Sequence, residues 1–310
     1  MAGSRALKNR IKSTKNIRQM TRAMEAVSAV KMRRSVGVAV SSRPYALAAI
    51  HLLAKIRSGM SFDDASLSPL FAVRKTTHTT LVVVTSDKGL AGSFNATVLR
   101  KAERYIAAAS TPISVFAIGK KARDYFRRAN ILEHAWTGVG DFGALEETKP
   151  MAEKLITHFL SGKTDNVVVI YANFISALRQ EIVTRELLPM TVEAVHSFIN
   201  DIIPERGKYA NIPSVLDEVS DSEALTLTME PSPKLLLDRL LPALLEIELY
   251  QVILEANASE HSARMLAMKS ASENADELAG ALTLQYNKIR QAHITKELAE
   301  ITAGKEAQNL

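Results

Sequence analysis

Ser86 to Asn95 read SDKGLAGSFN, between the apolar run TLVVV and the helix-like ATVLRKAERYI. A strand, a loop carrying glycines, then a helix is the order in which many proteins hold a phosphate, because helix N-termini present backbone N–H groups to an anion. The spacing here is wrong for that chemistry. Gly89 and Gly92 form neither G-x-G-x-x-G nor G-x-x-x-x-G-K-[ST]. A second stretch, IGKK at residues 118–121, ends like a phosphate loop, but Lys121 stands where Ser or Thr would hold magnesium and the upstream glycine is missing. The pattern predicts a tight strand-to-helix turn in which Gly89 and Gly92 supply positive φ, and no nucleotide or other cofactor.

The remaining reactive residues do not converge. SEHS, Ser259 to Ser262, brings Ser, Glu and His together, but helical neighbours point about 100° apart and cannot meet at one substrate atom. The seven histidines lack ligand spacing, no G-x-S-x-G occurs, and cysteine is absent. Disulfides, thiol catalysis and thiolate metal sites are therefore excluded. No catalytic constellation and no metal site is read.

Two long helices bracket the middle of the chain. Residues 1–58 hold thirteen Lys and Arg against one acid, Glu25, a net +12. The remainder has 26 basic and 32 acidic residues, a net −6, so the start of the chain is built to meet acidic surfaces. From Ser4 to about Arg57 apolar residues recur at Leu7, Ile11, Ile17, Met20, Met24, Val27 and Val30, which predicts one helical stripe. Pro44 predicts a kink or break. Lys8, Arg10, Lys12, Lys15, Arg18 and Arg22 make a dense cationic face; it lacks aromatic residues to stack on bases, and nucleic-acid binding is the rival reading.

At the other end, Ser232 is a good N-cap with Pro233 at N1, and helical pattern runs to about Ala303. About 70 residues at 1.5 Å each span roughly 105 Å, too long for a helix without a partner. Leu254, Ala258, His261, Met265, Met268, Ser272, Ala275, Ala279, Leu282, Tyr286 and Ile289 follow a 4-3 spacing, a heptad seam with many small members. Beyond it the stripe shifts to Ile294, Leu298 and Ile301. Between the helices, strands are expected at 79–85, 113–118 and 167–172, and helices at 94–109, 120–129 and 144–160. ALRQEIVTRELLPM reads as an edge strand, 196–223 as a loop and ALTLTME as a final strand. The expected organisation is a coiled-coil helix at 1–58, an α/β domain at 75–225 and a coiled-coil helix at 232–303.

ASEHSARMLAMKSASENADEL, followed by LTLQYNKIRQAHITKELAEI, resembles the C-terminal signature of the γ subunits of F-type ATP synthases. IKSTKNIRQMTRAMEAVSAVKMRR is similar to that family's N-terminal helix, SDKGLAGSFN to the turn after its first sheet strand, and EPSPKLLLDRLLP to the start of its last helix. The likeness spans the chain in four segments in the right order. Ser93 departs from the usual Gly or Ala, TLTME lacks the aromatics common before Glu-Pro-Ser, and no cysteine-bearing insert of the chloroplast type is present.

The resemblance implies an α/β Rossmann-like foot that binds no nucleotide, plus a long antiparallel coiled coil formed by the two chain ends. It implies a central-stalk rotor, itself not catalytic, turning inside an α3β3 ring of α and β subunits, with the foot on the c-ring beside the ε subunit. By motif match, the rotor–stator coupling residues fall on Met24, Arg264, Gln291, Thr295 and Glu297. Gln291 and Thr295, four apart, are expected on one helix face, and Arg264 is expected to offer its fork of donors to an acidic β loop. A chain starting at Met1 without a presequence favours a bacterial host, with the complex at the cytoplasmic side of the inner membrane.

Overall fold

The computed structural model describes residues 2–58, 68–140, 145–190 and 232–308, with side chains at 5–41, 68–140, 145–190, 232 and 234–303. The expected loop at 196–223 and the expected strand ALTLTME lie outside the described residues. Two compact units are present, Ala29–Ala263 and the pair of end segments Met1–Ser28 and Arg264–Leu310.

The larger unit holds a five-stranded sheet: β1 (Thr79–Val84), β2 (Ile113–Ile118), β3 (Leu132–Trp136), β4 (Asn166–Phe174) and β5 (Gln180–Leu188), in the order β3-β2-β1-β4-β5. The first four strands are parallel, with Leu81 in register with Val115 and Val168; β5 runs antiparallel to β4 at one edge. Strands buried on both faces need continuous apolar runs, and TTLVVV and NVVVIYANF supply them. The connections are helices α2 (Phe94–Ala108), α3 (Lys120–Arg128) and α4 (Leu145–Leu160).

Alternation along the strands divides the core in two. Leu81, Val83, Val115, Ala117, Val168 and Ile170 pack with Phe94 and Val98 of α2 and Ala122 and Phe126 of α3. Val82, Val84, Phe116, Val169 and Tyr171 face the other way, onto Leu155 and Phe159 of α4 and onto Leu241, Leu245, Leu249 and Val252 of the long C-terminal helix α5 (Pro233–Gln308). This second core is the larger, because α5 brings a run of leucines to it.

The N-terminal helix α1 spans Ala2–Ser58 and runs through Pro44. Of the kink or break expected there, the break is absent: proline removes one N–H bond from a helix that is otherwise continuous. Helix α5 likewise runs through Pro242. It starts as expected, with the Leu235 and Leu236 amides donating to Oγ and the carbonyl of Ser232 (3.4 and 3.1 Å).

The heptad seam of α5 is buried or half-buried at all eleven expected positions, from Leu254 to Ile289. The stripe on α1 is not where its apolar residues lie. Leu7, Ile11, Thr14, Arg18, Thr21, Glu25, Ser28, Met32, Ser35 and Ala39 are buried or half-buried, again on a 4-3 spacing, and toward the end of this stretch Val36, Val38 and Val40 are half-buried as well. Ile17, Met20, Met24, Val27 and Val30 face outward. The expected stripe joined two faces, and only Leu7 and Ile11 belong to the seam. Arg18 is ion-paired with Asp276. Gln251 donates to the Ala39 carbonyl at 3.5 Å. Partners fall back along α5 as they advance along α1, which is the antiparallel arrangement.

Candidate functional site

The turn SDKGLAGSFN is closed by its own ends. The Ser86 amide donates to Asn95 Oδ1 at 3.0 Å, and Asn95 Nδ2 donates to Ser86 Oγ at 2.8 Å. Gly92 has φ +57°, the left-handed conformation that glycine adopts without penalty. Gly89 does not: Leu90 holds the other left-handed position, at φ +61°. The expectation of positive φ at Gly89 is therefore corrected, and Leu90 carries a local strain that the sequence did not flag.

The first turn of α3 is where an anion would be held if the foot bound one. Its donors are already used. Asp87 accepts from the Lys120 amide at 2.8 Å and, through its other oxygen, from the Gly138 amide at 2.7 Å. The Lys121 amide donates to the Ser86 carbonyl at 3.2 Å, and the Ala122 amide to Thr85 Oγ1 at 2.8 Å. Gly119, at φ +97°, is required there: a Cβ would stand 2.1 Å from the Thr85 carbonyl oxygen. A cleft of about 250 Å³ opens beside this turn, lined by Asp87, Lys88, Gly138, Gly140, Asn257 and Glu260 among others. A protein carboxylate thus sits at the helix N-terminus where a bound anion would be favoured.

The coupling residues expected from the resemblance fall in different settings. Met24 is 36% exposed, in the outward stripe of α1. Gln291, Thr295 and Glu297 are exposed on α5, and Thr295 Oγ1 donates to the Gln291 carbonyl at 3.0 Å, so these two share a helix face. Arg264 is buried, at 6% exposure. From the Arg18–Asp276 pair, Met24 lies toward the Arg264 end of the pairing and away from Gln291. One patch therefore does not hold all five.

Sequence reasoning missed a buried polar row on α5. Glu248, Gln251, Glu255, Ser259 and Ser262 are all buried at a spacing of three or four. Tyr171 Oη donates to Glu255 Oε2 at 2.8 Å, and Ser259 Oγ to the Ala172 carbonyl at 2.9 Å. Burial pushes the Glu248 carboxyl up to about 8, against the smaller opposing pull of the Arg185 charge. The signal that could have found this row is a polar residue every turn within an otherwise leucine-rich segment. His261 is buried on the seam, as read. Among the described residues no cluster of His, Cys, Asp and Glu could hold a metal, and no helix is long and apolar enough to cross a membrane.

The structure combines a two-helix seam with an α/β sheet covered on both faces, and known proteins share this fold. The model of the family described as ATP synthase matches residues 3–308. The ATP synthase gamma chain of Anaeromyxobacter sp. (strain Fw109-5) is 38% identical over 311 residues, 99% of each chain. That of Roseiflexus castenholzii is 39% identical over 310 residues, 98% of each. Among solved structures, a chain of the Euglena gracilis mitochondrial ATP synthase, in its OSCP/F1/c-ring assembly, aligns at TM-score 0.63 and 16% identity, covering 99% of this chain and 95% of that one. At that identity the likeness speaks for the fold. The chain belongs to the ATP synthase gamma chain family. Nothing in these comparisons supports the nucleic-acid reading of the basic helix.

Proposed function

We propose that the chain is the non-catalytic central-stalk rotor of an F-type ATP synthase, coupling proton-driven rotation of the c-ring to ATP synthesis or hydrolysis on a ring of α and β subunits. The observation that carries the reading is the two-sided α1. Its polar and small residues, Thr14, Ser28, Ser35 and Ala39, are buried, while Ile17, Met20, Met24, Val27 and Val30 face outward. A helix exposes apolar surface in this way when something outside the chain is to cover it. The basic excess of residues 1–58 suits the same surroundings if they are acidic.

An asymmetric shaft turning inside three β subunits touches each differently, and each difference in contact free energy biases one subunit toward a different nucleotide state. On this reading the chain divides into a shaft made by 1–58 and 232–303 and a foot at 75–225. The foot meets the c-ring and the ε subunit. The complex is peripheral, on the cytoplasmic side of a bacterial membrane. Met24, Gln291, Thr295 and Glu297 are surface contacts in the coupling region, and buried Arg264 acts there by holding the helix surface in place.

Reconstitution tests this. Purified α and β subunits are assembled with and without the chain, and the full complex is placed in vesicles. The expected result is proton-driven ATP synthesis only with the chain present. Arg264→Ala and Gln291→Ala/Thr295→Ala should each lower synthesis by more than they lower assembly. Equal synthesis in complexes lacking the chain would overturn the reading.

A further inference from the structure

The buried polar row on α5 is oriented toward the sheet and toward α1. Gln251 Nε2 reaches the Ala39 carbonyl of α1 and, on its own helix, Glu255 Oε1, each at 3.5 Å. Glu255 accepts from Tyr171 of β4, and Ser259 donates to the next carbonyl of that strand, Ala172. One turn on, Ser262 Oγ donates to the Ala177 carbonyl in the β4–β5 turn at 2.5 Å and accepts from Gln180 Nε2 of β5 at 3.1 Å. Three turns of one helix are thus tied to one strand, the following turn and the start of the next strand.

Apolar packing alone does not define the position of a helix along a sheet in this way. Leucine against valine is non-directional, and the apolar face of α5 repeats with every turn. Hydrogen bonds to backbone carbonyls are directional and buried, so a small slide along the helix axis leaves several buried groups without partners at once. The stretch that carries the polar row also adjoins the leucine run Leu241, Leu245 and Leu249, which packs on the same sheet. Adhesion and register are therefore supplied by different residues.

We propose that Gln251, Glu255, Ser259 and Ser262 are positioning residues that key α5 to strands β4 and β5, so that a twisting load on the helix reaches the foot without slip. This rests on the rotor reading above. The proposal assigns the row no contact with nucleotide, proton or neighbouring subunit.

The test uses the complete complex in vesicles and reads protons pumped per ATP hydrolysed as the opposing proton gradient is raised. Tyr171→Phe/Ser259→Ala removes two oxygens and their bonds, and is expected to lower that ratio at least twofold at high gradient with little change at zero gradient. A purely structural defect would lower the amount of assembled complex, and pumping and hydrolysis together, at every gradient. Glu255→Gln, which keeps an acceptor for Tyr171, is expected to stay near the parent ratio, whereas Glu255→Met follows the double variant. Should the double variant not assemble, Tyr171→Phe alone, one oxygen smaller, is read in the same way. A load-independent ratio in the assembled variants overturns the key. Unchanged pumping by a parent complex lacking the chain would instead overturn the rotor reading, so the two failures are distinct.

Discussion

Helices α1 and α5 are partners, yet they use their apolar residues in opposite ways. On α5, Leu241, Leu245, Leu249, Val252 and Leu254 are buried, and the seam continues through Ala258, Met268, Ala275, Ala279 and Leu282. On α1 the buried positions are Thr14, Ser28, Ser35 and Ala39, while Val27 and Val30 are more than half exposed, at 55% and 58%. Two of the inward hydroxyls of α1 bond their own helix: Thr14 donates to the Arg10 carbonyl at 2.9 Å and Ser28 to the Met24 carbonyl at 2.7 Å. Small, self-satisfied side chains let two backbones approach closely while burying little area per turn. One helix gives its leucines to the larger core of the sheet; the other buries small and polar side chains while Ile17, Met20, Met24, Val27 and Val30 face outward.

This contrast can be broken or sharpened by effects of graded size. The largest belongs to Glu248, buried on the core side of α5. Its carboxyl titrates near 8 in the fold against 4.5 when unfolded, so the folded chain holds a proton that the unfolded chain releases. Stability is then full below pH 4.5, falls as pH rises, and levels off above about 8. At about 1.4 kcal/mol per pH unit between those two values, the loss is on the order of 5 kcal/mol. Urea unfolding from pH 4.5 to 8.5 should show this slope, and Glu248→Gln should flatten it.

Next in size is Leu249→Ala, which opens a cavity at a fully buried position of α5 and is expected to cost about 2–5 kcal/mol. Val27→Ala, at an outward position of α1, should stay within about 0.5 kcal/mol in the isolated chain. Equal losses at the two sites would erase the distinction between the helices. The Arg18–Asp276 pair, with side chains 35% and 62% exposed, should give a coupling of about 0.2–1 kcal/mol in a double-mutant cycle, fading with salt. Smallest of all is the response of the full chain to magnesium ATP. Calorimetry should register no binding tighter than about 1 mM, a free energy of about −4 kcal/mol, and micromolar binding would defeat the account of the first turn of α3.

The seam of α5 was legible because a 4-3 spacing sustained from Leu254 to Ile289 suits a paired helix and hardly any other element. That of α1 was not, since apolarity marks a surface that will be covered without saying by what, and here most of the apolar stripe faces away from the partner helix. Strands β1, β2 and β4 were plain in TTLVVV, ISVFAI and VVVIYA. β3 was missed because LEHAW carries Glu133 and His134 and no β-branched residue, and its pairing with β2 is a tertiary fact. Burial holds His158 below the ordinary imidazole range, with its ring edge-on to Phe116 at 4.9 Å, another setting invisible in spacing. In the glycine turn the sequence located the bend and misassigned one left-handed residue, because Leu at φ +61° is a choice no propensity recommends. The coupling residues came by resemblance, and only Gln291 and Thr295 share a position that spacing alone would have paired.

Asp87 supplies the first turn of α3 with an anion that never dissociates into solution. A solute seeking the same amides competes with a tethered carboxylate, whose effective concentration is set by chain geometry, of millimolar order or higher for a short connection. The occupancy of that turn is then decoupled from the metabolic state of the cell. A part that must keep one shape through every cycle, while nucleotide levels around it rise and fall, is well served by carrying its ligand as a side chain.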